Sequence, residues 1–526
     1  MKGRFAFVSA FTALLLVAFA ISISGARDGS LVVRGVGLSA TPTPTPSTLP
    51  SASPSASPSA ADSPSAVHPS ASDPRPERPS PSASPTSAPI QKYTTWVNGA
   101  EVHAGLLGLV RKDDDLFLDL KPDDFGKRFV VMPAIASGVG GEAFAGRAFV
   151  PLELTFKRVG KRVLWIAPNS HYVASAGSAQ AASLAISVAD TVIASTPIVA
   201  QDESEAHVVV SGSFFLTDFE GLASDLGKAA PAPSLPGLFI LSARPSFALD
   251  TTKSYFTAVK TFEHNDEIAA TLTFNGPPQA FASVPDGRGI PIGVHYSIVA
   301  PSHTESYVPR LADDRVGYFV SAHKRFDDTY RASPFERYID RWNLANGPII
   351  FTLTEEIPPA YRQTVRNAIL EWNTAFAAIG FPDAIEVHDP PQDGTFDPDD
   401  ARYNPVRWLT SEKPNFAGYS PHVADPQTGQ ILRAQVVLDG EALRAVERGY
   451  ADRALPLAQP VSLTFGMSPL ALGDAVTSLD GCAFAEGSAA EAALGMVALM
   501  AQPNATPAAR DRYVRDWLFS VVLHEV

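Results

Sequence analysis

The chain reads as an α+β protein: a β-rich N-terminal domain, built as a large antiparallel sheet or sandwich, followed by a domain of mixed strands and long helices. Three observations predict this. Leu152, Leu154 and Phe156 alternate with Glu153, Thr155 and Lys157, turn at Val159-Gly160-Lys161, and return as a second strand over 162–167. Ile268, Ala270, Leu272 and Phe274 repeat the alternation and end in Asn275-Gly276-Pro277. After residue 347 the period changes: Val365, Ile369, Trp372, Phe376 and Ile379 recur at helical steps, and Gly380 is a natural stop.

A chain of 526 residues has room for two or three domains, and its net charge of −14 disfavours nucleic acid as a partner. The single cysteine, Cys482, excludes an internal disulfide framework and any Cys-based zinc site. Residues 1–26 read as a signal peptide, or else as a membrane anchor: Lys2 and Arg4 precede an apolar run, and Ser24-Gly25-Ala26 suits cleavage. No other membrane contact is expected, and the remainder is expected outside the cytoplasm, secreted or tethered to the cell surface. Residues 27–90 are rich in Pro, Ser, Thr and Ala. They cannot bury enough apolar surface to offset their conformational entropy, so a disordered linker is expected, serving as a stalk or a passive leader.

Residues 91–312 form the β-rich domain. Val294, Tyr296 and Ile298 give a further strand, and a short helix is expected near 218–228. Gly138-Val139-Gly140 follows a strand but opens no helix, so it reads as a turn rather than a dinucleotide loop. His103, His171, His207, His264, His295, His303 and His323 share no helix face, and each is expected to be an ordinary, partly exposed residue. Residues 313–347 read as a connection packing on both neighbours, its charges a structural network.

Residues 348–526 begin with the buried strand 348–353. A helix over 360–379 follows, then the strand 384–387 and an Asp- and Pro-rich loop. Next come the turn Asp425-Pro426-Gln427-Thr428-Gly429-Gln430 and a strand over 431–438. Residues 441–503 are Ala-rich and partly helical. The last twenty residues form a helix capped by Thr506 with Pro507 at its first position. Tyr513, Trp517, Val521 and His524 fall on one stripe; Val514, Leu518, Val522 and Glu525 fall on the next. A His and a Glu are therefore expected on the core side, where both are costly unless used. Their known joint use is H-E-x-x-H, in which two His one turn apart bind zinc and the Glu is the general base. Only the first His and the Glu occur here, and alone they are weak evidence.

The order of strand, long helix, strand, loop, turn-plus-strand and His-Glu helix is the layout of the upper half of a zincin catalytic domain. Four stretches also resemble the bacterial zinc-dependent metalloproteases of metzincin type that carry N-terminal domains of unknown function. These are residues 359–381, with Glu371-Trp372-Asn373; Asp400-Ala401-Arg402-Tyr403-Asn404-Pro405-Val406-Arg407-Trp408; Ser420 with residues 425–434; and Leu523-His524-Glu525-Val526. The resemblance covers roughly residues 93–526 with the motifs in the family's order. It implies an exported zinc-dependent metallo-endopeptidase acting on a peptide or protein substrate, with His524 as the first zinc ligand and Glu525 as the general base. Strand 431–438 is expected at the sheet edge, with Ile431, Arg433, Gln435 and Val437 binding substrate by main-chain pairing.

The family's second and third His have no counterpart here, and His388 and His422 match no ligand position and read as surface loop residues. The chain as given is therefore expected to be an inactive fragment that binds zinc weakly and frays in its last turn. The alternative is a non-catalytic secreted or surface-tethered binding module; a β-domain that binds cell-wall polysaccharide is a third reading. Asn504-Ala505-Thr506 is a formal glycosylation sequon, outweighed by the capping role of Thr506.

Overall fold

The computed structural model describes residues 89–526 without 141–142, 231–243, 302–306, 327–334, 413–415, 455–490, 493–494, 497, 500–501 and 503–505; all belong to one compact unit, Ala83–Val526. The expected signal peptide, nearly all of the linker, Cys482, His303 and Asn504 lie outside the described residues. Among the described residues no helix is long and apolar enough to cross a membrane.

Thirteen described strands join one sheet: β1 (Gln91–Lys92), β2 (Glu101–Ala104), β3 (Gly108–Lys112), β4 (Asp115–Leu120), β5 (Phe129–Ser137), β6 (Leu152–Val159), β7 (Arg162–Ala167), β9 (Thr191–Gln201), β10 (Val208–Ser211), β11 (Ala248–Leu249), β12 (Tyr255–Thr261), β13 (Asn265–Asn275) and β14 (Ile290–Val299). The path runs β11-β13-β14-β5-β6-β7-β9-β10-β4-β3-β2, with β12 on β13 and β1 on β9. It curls until the end of β12 meets the segment after β2, where the Leu106 amide donates to the Phe262 carbonyl at 2.7 Å. Alternation explains why the sheet can close: successive side chains point to opposite faces. Ile268, Leu272, Val294 and Tyr296 enter one core with Leu118, Phe129, Phe156 and Trp165. The Trp165 indole donates to Thr196 Oγ1 at 3.0 Å, so this buried N–H is satisfied. The β6–β7 hairpin turns at Gly160, whose φ of +60° suits glycine. Short helices α1 (Tyr93–Trp96), α2 (Ala179–Ser187) and α3 (Leu222–Ala229) decorate the sheet. Asp218 opens α3 by accepting the Leu222 and Ala223 amides.

The connecting segment has its own structure. Strands β15 (Val320–Phe326) and β16 (Phe335–Ile339) pair with each other, and β8 (Tyr172–Ala174) joins β15 in parallel. The segment touches both neighbours as expected: the Arg341 backbone exchanges hydrogen bonds with Gly429 and Ile431, both 2.9 Å.

The C-terminal region holds a second sheet of β17 (Ile349–Leu353), β18 (Ile385–His388), β19 (Asn404–Leu409), β20 (Gly418–Tyr419) and β23 (Val436–Asp439), in the order β18-β17-β19-β23-β20. All pairs are parallel except β20 with β23. Helices α4 (Pro359–Ala378), α5 (Gly440–Ala454) and α6 (Pro507–Glu525) cover one face. Val365, Ile369, Val514, Leu518 and Val521 pack there on Phe351, Val406 and Leu438. The other face meets the barrel: Gln435 Nε2 donates to the Gly146 carbonyl, and a Cβ on Gly146 would lie 2.7 Å from Val437.

The expected single strand 431–438 is broken. Strand β22 (Ile431–Ala434) pairs only with β21 (His422–Ala424), and after Gln435 the chain enters the larger sheet as β23. Strand β23 has neighbours on both sides, so the edge is β20.

Candidate functional site

The final helix begins as its sequence dictates. Thr506 Oγ1 accepts the Ala509 amide at 3.2 Å, with Pro507 in the first turn. Val514, Trp517, Leu518, Val521 and Val522 are buried. The His-Glu pair lies less deep than its helical position suggested: His524 is exposed and Glu525 half-buried. The apolar surroundings still strip hydration from both. The His524 imidazole is pushed below its usual pKa, which favours the neutral form that a metal ligand requires. Burial alone pushes the Glu525 carboxyl up to about 7.

The last turn is held rather than frayed. The Val522 carbonyl accepts the Val526 amide at 3.2 Å, and of the carbonyls left without a helical partner, that of Leu523 accepts the Trp372 indole at 2.9 Å and that of Glu525 the Ser420 hydroxyl. Edge strand β20 runs beneath. A Cβ on Gly418 would stand 2.6 Å from Glu525 Cγ and 2.8 Å from its Oε1, so only glycine lets the carboxylate sit there. Tyr419 and Phe416 pack against Phe144 of the barrel, at ring centroid distances of 5.3 and 4.8 Å. An antiparallel edge, a carboxyl near neutrality and an imidazole thus meet at one helix end. Among the described residues, no set of three His, Cys, Asp or Glu side chains able to hold a metal includes His524. The donors present therefore do not complete a zinc site.

The residues expected to bind substrate lie elsewhere. Arg433 and Gln435 are only 5% and 3% exposed, and Val437 is fully buried. The Arg433 guanidinium donates to the Pro398 and Tyr403 carbonyls, and Gln435 faces the barrel. Ile431 pairs inside the small β21–β22 sheet. Gln435 and Val437 face the barrel, whereas Arg433 ties β22 to the loop between β18 and β19 within the C-terminal region, and none of the three lines a free edge.

Two aspartates of the motif stretches, Asp400 and Asp425, reach the barrel. Asp400 accepts from Asn265 at 3.2 Å and holds Arg402 in a bidentate pair, whose guanidinium lies 3.5 Å from the Phe262 ring centroid. Arg407 pairs with Asp399 at 2.8 Å. Asp425 accepts its own turn's Gln427 amide and pairs with Arg128, which also holds Glu153 at 2.5 Å.

Several histidines also differ from expectation. His295 is 4% exposed and bonded to Glu267, His323 is buried, and His422 is partly buried and paired with Asp340 at 2.9 Å. His388 is exposed as expected but ends strand β18, paired with Thr352, rather than lying in a loop. Gly418 and the capping role of Trp372 were not read from the sequence. A lone Gly before an aromatic carries no signal, and the indole's partner lies 151 residues away. A raised pKa alone does not mark a site, since burial also pushes Glu220, beside Tyr296 of the barrel core, up to about 8. What sets Glu525 apart is the sheet edge beside it.

Compared with known proteins, residues 149–346 match a domain of unknown function (DUF5117). That stretch runs from the β5–β6 connection through β16 and leaves out the helix bearing His524 and Glu525. No curated protein and no solved structure matches the chain.

Proposed function

We propose that this chain carries the N-terminal part of a zincin-like catalytic domain from an exported zinc-dependent metallo-endopeptidase, with Glu525 as general base and His524 as first metal ligand. The observation that carries the reading is the Glu525 carboxyl, raised to about 7 by burial and set against the antiparallel edge strand β20. A base poised near the working pH is at its most effective. An extended peptide can add to β20 by main-chain hydrogen bonds, with its side chains alternating toward and away from the Phe416–Tyr419 cluster. In this reading the substrate-binding role passes from strand 431–438 to β20. Because the chain's own donors do not complete a zinc site, no catalytic step is routed through the metal. Glu525 takes and returns a proton, and His524 supplies one neutral nitrogen.

The test is peptidase activity of the natural protein that contains this chain, expressed from its whole reading frame. The 526-residue polypeptide alone is expected to be inactive, and the natural protein is expected to cleave peptides in a Glu525-dependent way. A second reading, a secreted or surface-tethered binding module, is favoured by the single imidazole at the helix end. It takes over if the reading frame closes at Val526 and the protein binds peptides without cleaving them.

A further inference from the structure

A different cluster, far from His524 in sequence, has the composition of a metal site. Strands β13 and β14 pair Glu267 with Ser297 and Ala269 with His295, so Glu267 and His295 stand on the barrel's outer face. The 397–401 loop of the C-terminal region covers them. Glu267 receives four donors: Asn265 Nδ2 at 2.6 Å and the Ala401 amide at 3.0 Å on Oε1, His295 Nε2 and Ser297 Oγ at 2.6 Å each on Oε2. His295 therefore donates through Nε2, which leaves Nδ1 as the nitrogen open to a ligand. The ring is 4% exposed, and no hydrogen bond joins it to Asp397 or Asp399. Yet one nitrogen of His295 and one oxygen from each of Asp397 and Asp399 lie within 4.8 Å of one another. Two ligands of one ion can be no farther apart than twice the metal–ligand distance, about 4–5 Å.

We propose that His295, Asp397 and Asp399 bind one divalent transition-metal ion, of the zinc or manganese class, which clips the barrel to the loop between β18 and β19. Mixed nitrogen and carboxylate donors suit such ions better than calcium or magnesium. Glu267 is the outer partner that fixes the imidazole's orientation, as carboxylates behind metal-bound histidines do. Two cations compete for the same carboxylates: Lys260 at 2.9 Å from Asp397 and Arg407 at 2.8 Å from Asp399. Each carboxylate retains lone pairs for the ion. The site is separate from the proposed catalytic helix and does not depend on it.

The experiment is equilibrium dialysis of the whole 526-residue chain against zinc and, separately, manganese, with metal counted by mass spectrometry and thermal unfolding followed with and without the ion. Wild type and His524→Ala are expected to retain one equivalent and to unfold at higher temperature with it. His295→Gln and Asp397→Asn are each expected to lose it, and Glu267→Gln to weaken it about 10- to 100-fold. Asp397→Asn, on the half-buried loop, keeps the test open if His295→Gln does not fold. Lys260→Met is expected to tighten binding by removing a competitor, an effect that a purely structural cluster would not give. The proposal is overturned if wild type retains no metal above the buffer blank, which would leave His295 as a structural side chain held by Glu267. It is equally overturned if His524→Ala alone abolishes retention, or if Asp397→Asn leaves it intact.

Discussion

Two glutamates, Glu267 and Glu525, divide the molecule's chemistry between them. Glu267 is 1% exposed and takes four hydrogen bonds, from an amide side chain, an imidazole, a hydroxyl and a backbone N–H. Glu525 is half-buried, accepts none from any described residue, and its carboxyl rises to about 7 through lost hydration. A buried carboxylate with all its donors is a fastener. One that is desolvated, lacks donors and lies beside an open strand edge is ready to exchange a proton.

The largest expected effect separates these roles. In the natural protein, Glu525→Gln should lower peptide cleavage about 10²- to 10⁴-fold with little change in unfolding temperature. Glu267→Gln should instead destabilise the fold by about 3 kcal/mol, because an amide turns an N–H toward donors that need an acceptor. Turnover by the folded fraction should stay the same. Denaturation and steady-state kinetics on both variants check the pair.

Next in size is the pH dependence of stability. A carboxyl whose folded pKa lies above its unfolded value binds more protons when folded, so its contribution is full below about 4.5 and is lost as pH rises through about 7. Solvent at the half-exposed site screens the effect to about 1–2 kcal/mol. Wild type should lose that much relative to Glu525→Gln between pH 5 and 8, as read by denaturant midpoints. An identical pH profile for the two would mean that Glu525 is ordinarily hydrated. Gly418→Ala should cost about 1–3 kcal/mol and displace the Glu525 carboxyl, because the new methyl would lie within 3 Å of it. Trp372→Phe keeps the packing but releases the Leu523 carbonyl, and should cost about 1 kcal/mol and speed amide exchange in the last turn of α6.

The same contrast explains what could be read from the chain. The β6–β7 hairpin, α4 with Gly380 behind it and the Thr506 cap were legible because their causes are local: alternation, helical spacing and a capping hydroxyl. His524 and Glu525 were legible as a pair on a helix. The break at Gln435 was not, because the apolar pattern runs through it. What splits the strand is distant: β21 captures residues 431–434 and β19 captures 436–439. The burial of Arg433 against the 398–403 loop and the Glu267–His295 pair were hidden for the same reason. Their partners lie 28 to 35 residues away and meet only through sheet register and one loop.

The most direct measurement is cleavage of a peptide library by the natural protein containing this chain, run beside its Glu525→Gln and Glu267→Gln variants at matched folded fraction. The general-base role of Glu525 requires cleavage by the parent and by folded Glu267→Gln, and none by Glu525→Gln. Undiminished cleavage by Glu525→Gln, or a parent that binds peptides and never cleaves them, would contradict it.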